Sequence, residues 1–399
     1  MNEKVTCKGY KPDSVDGFQC TMGACEDNCC RNTGWRITVD AVTYEKYKNL
    51  DTKLGEHIIN CIEEKDGTYY FKEFDHGHCP LLASSGLCTI HRDLGAEYLC
   101  TTCTSYPRVW NSYAGQMEYW LSLSCPDVIR WVLYRKKRIN YMSFPVNTET
   151  PPLPQTPFET EKQKVRDMLI KICHHRRFSL MDKMLYMGLF MRSLSKGNSI
   201  DEAITVYQTN MKNPKILDSL KENLGNVDPG YRREMFDILL PVVTASVNRP
   251  KKIPLGIKNV DYYNRIVEFH ARMLAIPRYS DKILDAFDRI VVPYINSNSY
   301  MFENYMVYSL VSSRFMKDME NQEEFGKAYS GFAGEFISML TFTSAIFIDN
   351  ESLSHDEMII GMYLFHRSIS HNQSLREKVS GVFNDNLLNL LFGALSGVA

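Results

Sequence analysis

Apolar and polar residues alternate at several places in the first 125 positions, whereas beyond residue 158 they recur almost everywhere at helical spacing. Gly34-Trp35-Arg36-Ile37-Thr38-Val39-Asp40 alternates as a half-buried strand does. Asp40 or Thr43 then offers an N-cap for a helix running to about Glu64. Its apolar residues Tyr44, Tyr47, Leu50, Leu54, Ile58 and Ile62 fall every three to four positions, and Cys61 lies inside it as a core thiol. Asp66-Gly67 predicts a turn into a second strand, Thr68 to Phe74. Pro107 to Trp110 and Met117 to Leu123 form a predicted hairpin around Gly115. A short helix with Trp131 and Tyr134 follows; its basic residues Arg130, Arg135, Lys136, Lys137 and Arg138 read as a solvated face.

The stretch F-P-V-N-T-E-T-P-P-L-P-Q-T-P, Phe144 to Pro157, reads as a linker that no regular element crosses. Past it, Met181, Met184, Leu185, Gly188 and Leu189 share one helical face, closed by Gly197, and Ser199-x-x-Glu202 is a capping box. Asn248 to Gly256 breaks the helical pattern again. Phe336 to Ile348 and Leu387 to Leu395 are apolar nearly all round but too short to span a bilayer, so both read as buried core helices. The second of them leaves room for a peripheral membrane contact. The expected fold class is therefore mainly α (α+β). Residues 1–143 form a small cysteine-rich metal domain with short strands, 144–158 a linker, and 159–399 an all-helical domain.

Composition changes this picture little. At 399 residues, 44% hydrophobic and 23% charged, the chain has the make-up of a soluble globular protein with room for two domains. A formal net charge of −1 gives no electrostatic case for nucleic acid or an anionic membrane as partner. No apolar run reaches the ~18 residues of a spanning helix, and the polar N-terminus lacks a signal-peptide core, so a cytoplasmic location is expected.

The cysteines change it a great deal. Eleven of the twelve lie within the first 125 residues. Disulfides do not persist in a reducing compartment, so this density reads as metal binding rather than as a disulfide framework. Four thiols open the pattern as Cys20-x4-Cys25-x3-Cys29-Cys30, and Cys79, Cys88, Cys100 and Cys103 follow, the last two as C-x2-C. Clustered thiolates at short loop spacing reach one metal or cluster without long backbone excursions. Neighbouring side chains diverge, so Cys29 and Cys30 are not expected to be equivalent around one centre. Cys79-Pro80 and Cys125-Pro126 repeat a junction common in iron–sulfur loops. His76, His78 and His91 flank the second cluster, but loop histidines are more often free than ligating.

Other chemistry is missing. No G-x-G-x-x-G follows a strand and no G-x-x-x-x-G-K-[ST] occurs. Cys25-x3-Cys29 departs from C-x3-C-x2-C at Asn32. The residues alone thus give a thiolate-rich metal domain joined to a helical domain, with the activity unspecified.

The run C-x4-C-x3-C-C-x4-W-x-I-x-x-D-x3-Y, followed by C-P-x6-L-C-x-I-x4-G-x3-L-C-x2-C-x2-Y-P-R, resembles the flagellin lysine N-methylase family of bacteria. More loosely, the first half resembles small zinc- or iron-chelating proteins with clustered cysteines. The specific likeness spans about Cys20 to Asp127. It implies methyl transfer from S-adenosylmethionine to lysine side chains of flagellin, with a 4Fe–4S cluster held by the cysteine motif. Its thiol positions are Cys20, Cys25, Cys29, Cys30, Cys79, Cys88, Cys100 and Cys103, with Tyr106 and Arg108 placed to hydrogen-bond the sulfurs. Eight thiols exceed the four such a cluster needs, which leaves some for structure or for a second metal such as zinc. The alternatives are a zinc-stabilised protein-binding module and an iron–sulfur redox protein. Neither a catalytic base nor a methyl-donor pocket carries a recognisable signature.

Overall fold

The first 148 residues build two small sheets and a few short helices, and the rest of the described chain is helical, as expected for a mainly α, α+β protein. The structure is a computed structural model. It describes residues 5–31, 37–72, 79–213 apart from 153, and 260–370 apart from 276–278, 313–314 and 317–318, with single positions between 215 and 237. The N-terminal part runs β1 (Val5–Pro12), β2 (Thr38–Val39), α1 (Ala41–Lys48), α2 (Lys53–Asn60), β3 (Ile62–Lys65) and β4 (Thr68–Phe71). Then come α3 (Thr89–Asp93), α4 (Thr101–Ser105), β5 (Arg108–Tyr113), β6 (Gln116–Leu121), α5 (Pro126–Leu133) and β7 (Tyr141–Thr148). The helical part runs α6 (Pro157–Cys173), α7 (Leu180–Ser195), α8 (Ile200–Asn210), α9 (Val260–Ala275) and α10 (Tyr279–Ala286). A π turn (Phe287–Val291) leads to α11 (Val292–Ser297), and α12 (Ser299–Ser312), α13 (Phe325–Ile346) and α14 (His355–Ser370) follow.

The strands fall into two sheets. One is ordered β5-β6-β1-β7, with β1 parallel to β6 and antiparallel to β7; the other is ordered β2-β4-β3. The β3–β4 turn has both Asp66 (φ 53°) and Gly67 (φ 73°) in the left-handed region, the signature of a tight hairpin, and Ala114-Gly115 repeats it between β5 and β6. The second hairpin and the turn at Asp66-Gly67 follow the sequence pattern; strand β3 ahead of that turn does not.

Three expectations give way. The helix expected to reach Glu64 is two helices and a strand. Thr52 Oγ1 accepts from Gly55 N at 3.1 Å and starts α2, and Cys61 closes that helix as its C-cap instead of lying within it. The strand expected from Gly34 is observed only at Thr38–Val39, residues 32–36 being outside those described. The proline-rich stretch, expected as linker, forms β7 as far as Thr148. Pro145 pairs with Lys8 there, tolerated because β7 is an edge strand whose outer side needs no donor. Asn248 to Gly256 and Leu387 to Leu395 lie outside the described residues. The apolar run from Phe336 belongs to α13, and no helix among the described residues is long and apolar enough to cross a membrane.

Packing does not divide at 144–158. A large core joins Val15, Leu121, Val128 and Ile139 to Val165, Phe190, Phe302 and Phe336 of the helices. A second, small core holds Ile37, Tyr47, Ile58, Phe71 and Leu81 together with Cys79 and Cys100. Buried polar contacts lock the four-stranded sheet to the helices. Arg166 Nη1 meets Glu118 Oε1 at 2.6 Å, and the Tyr308 hydroxyl both accepts from Leu121 N (2.8 Å) and donates to Leu121 O (2.6 Å).

Two stability predictions follow from these contacts. Replacing Tyr308 by Phe strands a buried N–H and a buried C=O, and should cost roughly 2–3 kcal/mol in denaturant unfolding. Gly55→Ala should cost about 1–3 kcal/mol despite the better helix propensity of Ala, because a Cβ there lies 2.4 Å from Leu50 O. A neutral or stabilising Gly55→Ala melt would show that the α1–α2 break is not fixed by this contact.

Candidate metal centre

The first thiol loop is short one-turn helices pinned at several points. Cys20 and Cys25 flank the turn Met22–Ala24, and Cys29 and Cys30 open the turn Cys29–Arg31. Thr21 Oγ1 donates to Asp127 Oδ2 at 2.6 Å, Arg130 Nη2 meets Glu26 Oε1 at 2.7 Å, and Asn28 Nδ2 donates to Gly86 O at 3.3 Å. Arg367 on α14 reaches Asp27 in the same loop.

The second cluster is bonded to the first. Cys79 N donates to Cys30 O at 2.7 Å, and Leu82 and Cys88 pair as a β-bridge that brings Cys88 back beside Cys79. Cys88 and Cys100 are the N-cap residues of α3 and α4. Asp40 fixes the last segment by accepting from Thr43 N (2.9 Å) and Thr101 N (3.0 Å). Burial works to raise its pKa, but these bonds hold the carboxyl well below the usual range.

Of the eight expected thiols, Cys29, Cys30, Cys79, Cys88, Cys100 and Cys103 lie within electrostatic reach of one another, and Cys29 is among the charges bearing on Cys20, Cys30, Cys79, Cys88 and Cys103. The hydrogen bond from the Cys30 thiol lowers Cys29 to about 7, against the cost of burial, and the same bond pushes Cys30 well above the ordinary thiol value. Cys100 and Cys103 repeat the arrangement, Cys100 lowered and Cys103 raised by the bond between them. Burial pushes Cys79 up to about 12, with Cys88, Cys61 and Cys29 adding to it. Cys20 and Cys25 lie toward Asp127; burial raises both, Cys25 to about 12.

The donor chemistry suits thiolate ligation. Backbone N–H groups two residues ahead donate to Cys20 (from Met22, 3.3 Å), Cys25 (Asp27), Cys79 (Leu81), Cys88 (Ile90) and Cys100 (Thr102). Such N–H···S bonds stabilise thiolates and tune clusters. Crowded, desolvated thiols gain most when a cation replaces their protons. Still, among the described residues no group of three His, Cys, Asp or Glu side chains is already arranged to hold a metal ion.

The remaining candidates fall elsewhere. All twelve cysteines are free thiols. Cys125 and Cys173 belong to the large core, and Cys61 lies 3.9 Å from His57 Nε2. His76 and His78 are outside the described residues, and His91 contributes its backbone N–H to Cys88. The Tyr106 hydroxyl meets Ser124 Oγ at 3.1 Å, and the charge of Arg108, an exposed residue, bears on Cys20. Sequence reasoning passed over Asp27, and of Asp40 it saw only the helix cap, which is observed, and not the bond to Thr101. An acid inside a cysteine loop, and one just ahead of a helix, were the available signals; their partners Arg367 and Thr101 carried none.

With this geometry described, the chain can be set beside known proteins. Residues 166–395 match the model of the FliB lysine N-methylase C-terminal domain. The curated Lysine-N-methylase of Salmonella typhimurium is 23% identical over 391 residues, covering 92% of each chain, and that of Salmonella choleraesuis is 24% identical over the same span. The flagellar biosynthetic protein FliU of Salmonella muenchen is 35% identical over 133 residues, 31% of this chain and 75% of that protein. No solved structure matches the chain. With more than half of its length matched, the chain belongs to the FliB lysine N-methylase family.

Proposed function

We propose that the protein transfers methyl groups from S-adenosylmethionine to lysine side chains of flagellin, with a 4Fe–4S cluster in the thiol centre. The observation that carries the enzymatic part is the family match across residues 166–395. The names of its relatives, a lysine methylase and a flagellar biosynthetic protein, support lysine as the acceptor and flagellin as the substrate.

The reaction forms an N–C bond to the lysine amine as the C–S bond of the sulfonium breaks, and the amine proton leaves to a base. A lysine of ordinary pKa about 10.4 is protonated at neutral pH, so the site must desolvate it or offer that base before in-line attack. Positioning does the remainder.

Cys29, Cys79, Cys88 and the Cys100–Cys103 pair are the residues we expect to hold the cluster. When bound, it supplies a redox-capable, charge-balancing tie between three chain segments. The protein's own part is to aim backbone N–H groups at the sulfurs and to keep water from them. Eight thiols in the motif exceed the four that such a cluster needs, so zinc as a second metal fits the same reading.

Protein purified without oxygen should be brown, contain iron and sulfide, and transfer labelled methyl from S-adenosylmethionine to flagellin. A colourless product with stoichiometric zinc and no transfer would instead establish a zinc-stabilised binding module. Within the same preparation, Cys29→Ser should lose more than half of the bound metal and Cys30→Ser clearly less, because Cys29 stands among the other thiols and is the acceptor of the pair. Equal losses would contradict that assignment.

A further inference from the structure

We propose that Arg367 is the positioning residue of the thiol centre: it clamps the Cys25–Cys29 loop onto the helical body, so the loop presents its thiols only while α14 is docked. Helix α14 delivers a guanidinium that is 9% exposed to an aspartate, Asp27, that is fully buried. Its Nη1 donates to Asp27 Oδ2 at 2.6 Å and its Nη2 to Asp27 O at 2.7 Å, while Nε donates to Ser124 O at 3.0 Å. The planar group also stacks 4.9 Å from the Tyr363 ring centroid.

Side-chain and backbone oxygens of one residue are thus gripped by one rigid fork, which fixes orientation as well as place. Asp27 lies two residues from both Cys25 and Cys29, so fixing it fixes the directions in which those side chains leave the loop. The third bond ties the loop to the turn just before Cys125.

Two other anchors of the loop are weaker in kind. Arg130 and Glu26 are partly exposed, and Thr21–Asp127 is an exposed hydrogen bond, contacts of the class that contributes little. A buried ion pair adds little net stability once desolvation is counted, but it does select one arrangement over others. Here the arrangement selected is that of two thiols, from a helix 340 residues away.

The proposal takes from the functional reading only that these thiols serve a metal, and its test is run without one. The metal-free full-length protein is alkylated with iodoacetamide and each cysteine is followed by mass spectrometry. Cys25 (5% exposed) reports the loop, and fully buried Cys173 reports the helical core. In Arg367→Ala, Cys25 should react at least about tenfold faster, ~1.4 kcal/mol of lost protection, with Cys173 unchanged. Arg367→Lys, which keeps the charge but not the fork, should fall between. Unchanged Cys25 reactivity in Arg367→Ala overturns the proposal.

If Cys173 is exposed as well, loss of the buried ion pair has unfolded the protein, and the double variant Asp27→Asn/Arg367→Met decides. Faster Cys25 with protected Cys173 supports the clamp. No change in Cys25, or joint exposure of both thiols, refutes it.

Discussion

Strand β1 is the constraint on which the architecture turns. It lies between β6, parallel to it, and β7, which pairs with all eight of its residues from Val5 to Pro12. A parallel pair cannot be joined by a tight turn and needs a long crossover. Here the crossover is the whole stretch between β1 and the β5–β6 hairpin, both thiol clusters included. The small core around Ile37, Tyr47 and Phe71 is therefore an insertion, closed at its base by the sheet. Thr102 Oγ1 donating to Thr38 O at 3.1 Å closes the insertion on itself, so its entry and exit strands bring the early and late cysteines together.

That closure concentrates thiols where water is scarce, and charge compensation then divides them. On the loop side Arg367 is among the charges bearing on Cys25, Cys29 and Cys125, and Arg108 bears on Cys20. For Cys79, Cys88, Cys100 and Cys103 the neighbouring charges that bear most are those of other thiols and of Asp40, which all oppose ionisation. A cation bound there would offset that opposition.

Much of this was legible in the sequence because it is local. Asp66-Gly67 and the Gly115 turn are set by backbone conformations that few residues adopt, and thiol spacing is visible without any fold. Failures came where a distant contact outweighed a local pattern. The apolar spacing from Tyr44 to Ile62 suits one helix, yet the approach of Leu50 O to Gly55 and the cap at Thr52 break it. Pro145 argues against a strand until β1 supplies a partner on one side only. Val5 to Pro12, with Lys8, Gly9 and Lys11 among its residues, gives no strand signal, and a Cβ at Gly9 would push on Val146 and Phe144 across the pair, 2.5 Å from Val146 Cγ2.

The same long-range contacts bear on what counts as a functional unit. The matched region begins at Arg166, and that residue is itself buried against Glu118 of β6, with Tyr10 and Tyr113 each 5.2 Å from its guanidinium. Farther on, Tyr308 terminates β6 and Arg367 holds Asp27. Cutting at the family boundary would part Arg166 from Glu118 and Arg367 from Asp27, two buried pairs whose breaking is of the kind that costs about 3–5 kcal/mol each. A net stability of roughly 5–15 kcal/mol does not absorb two such losses easily. The helical body that carries the family match and the thiol module that carries the cysteines are therefore one folding unit. An activity assigned to either is a property of both.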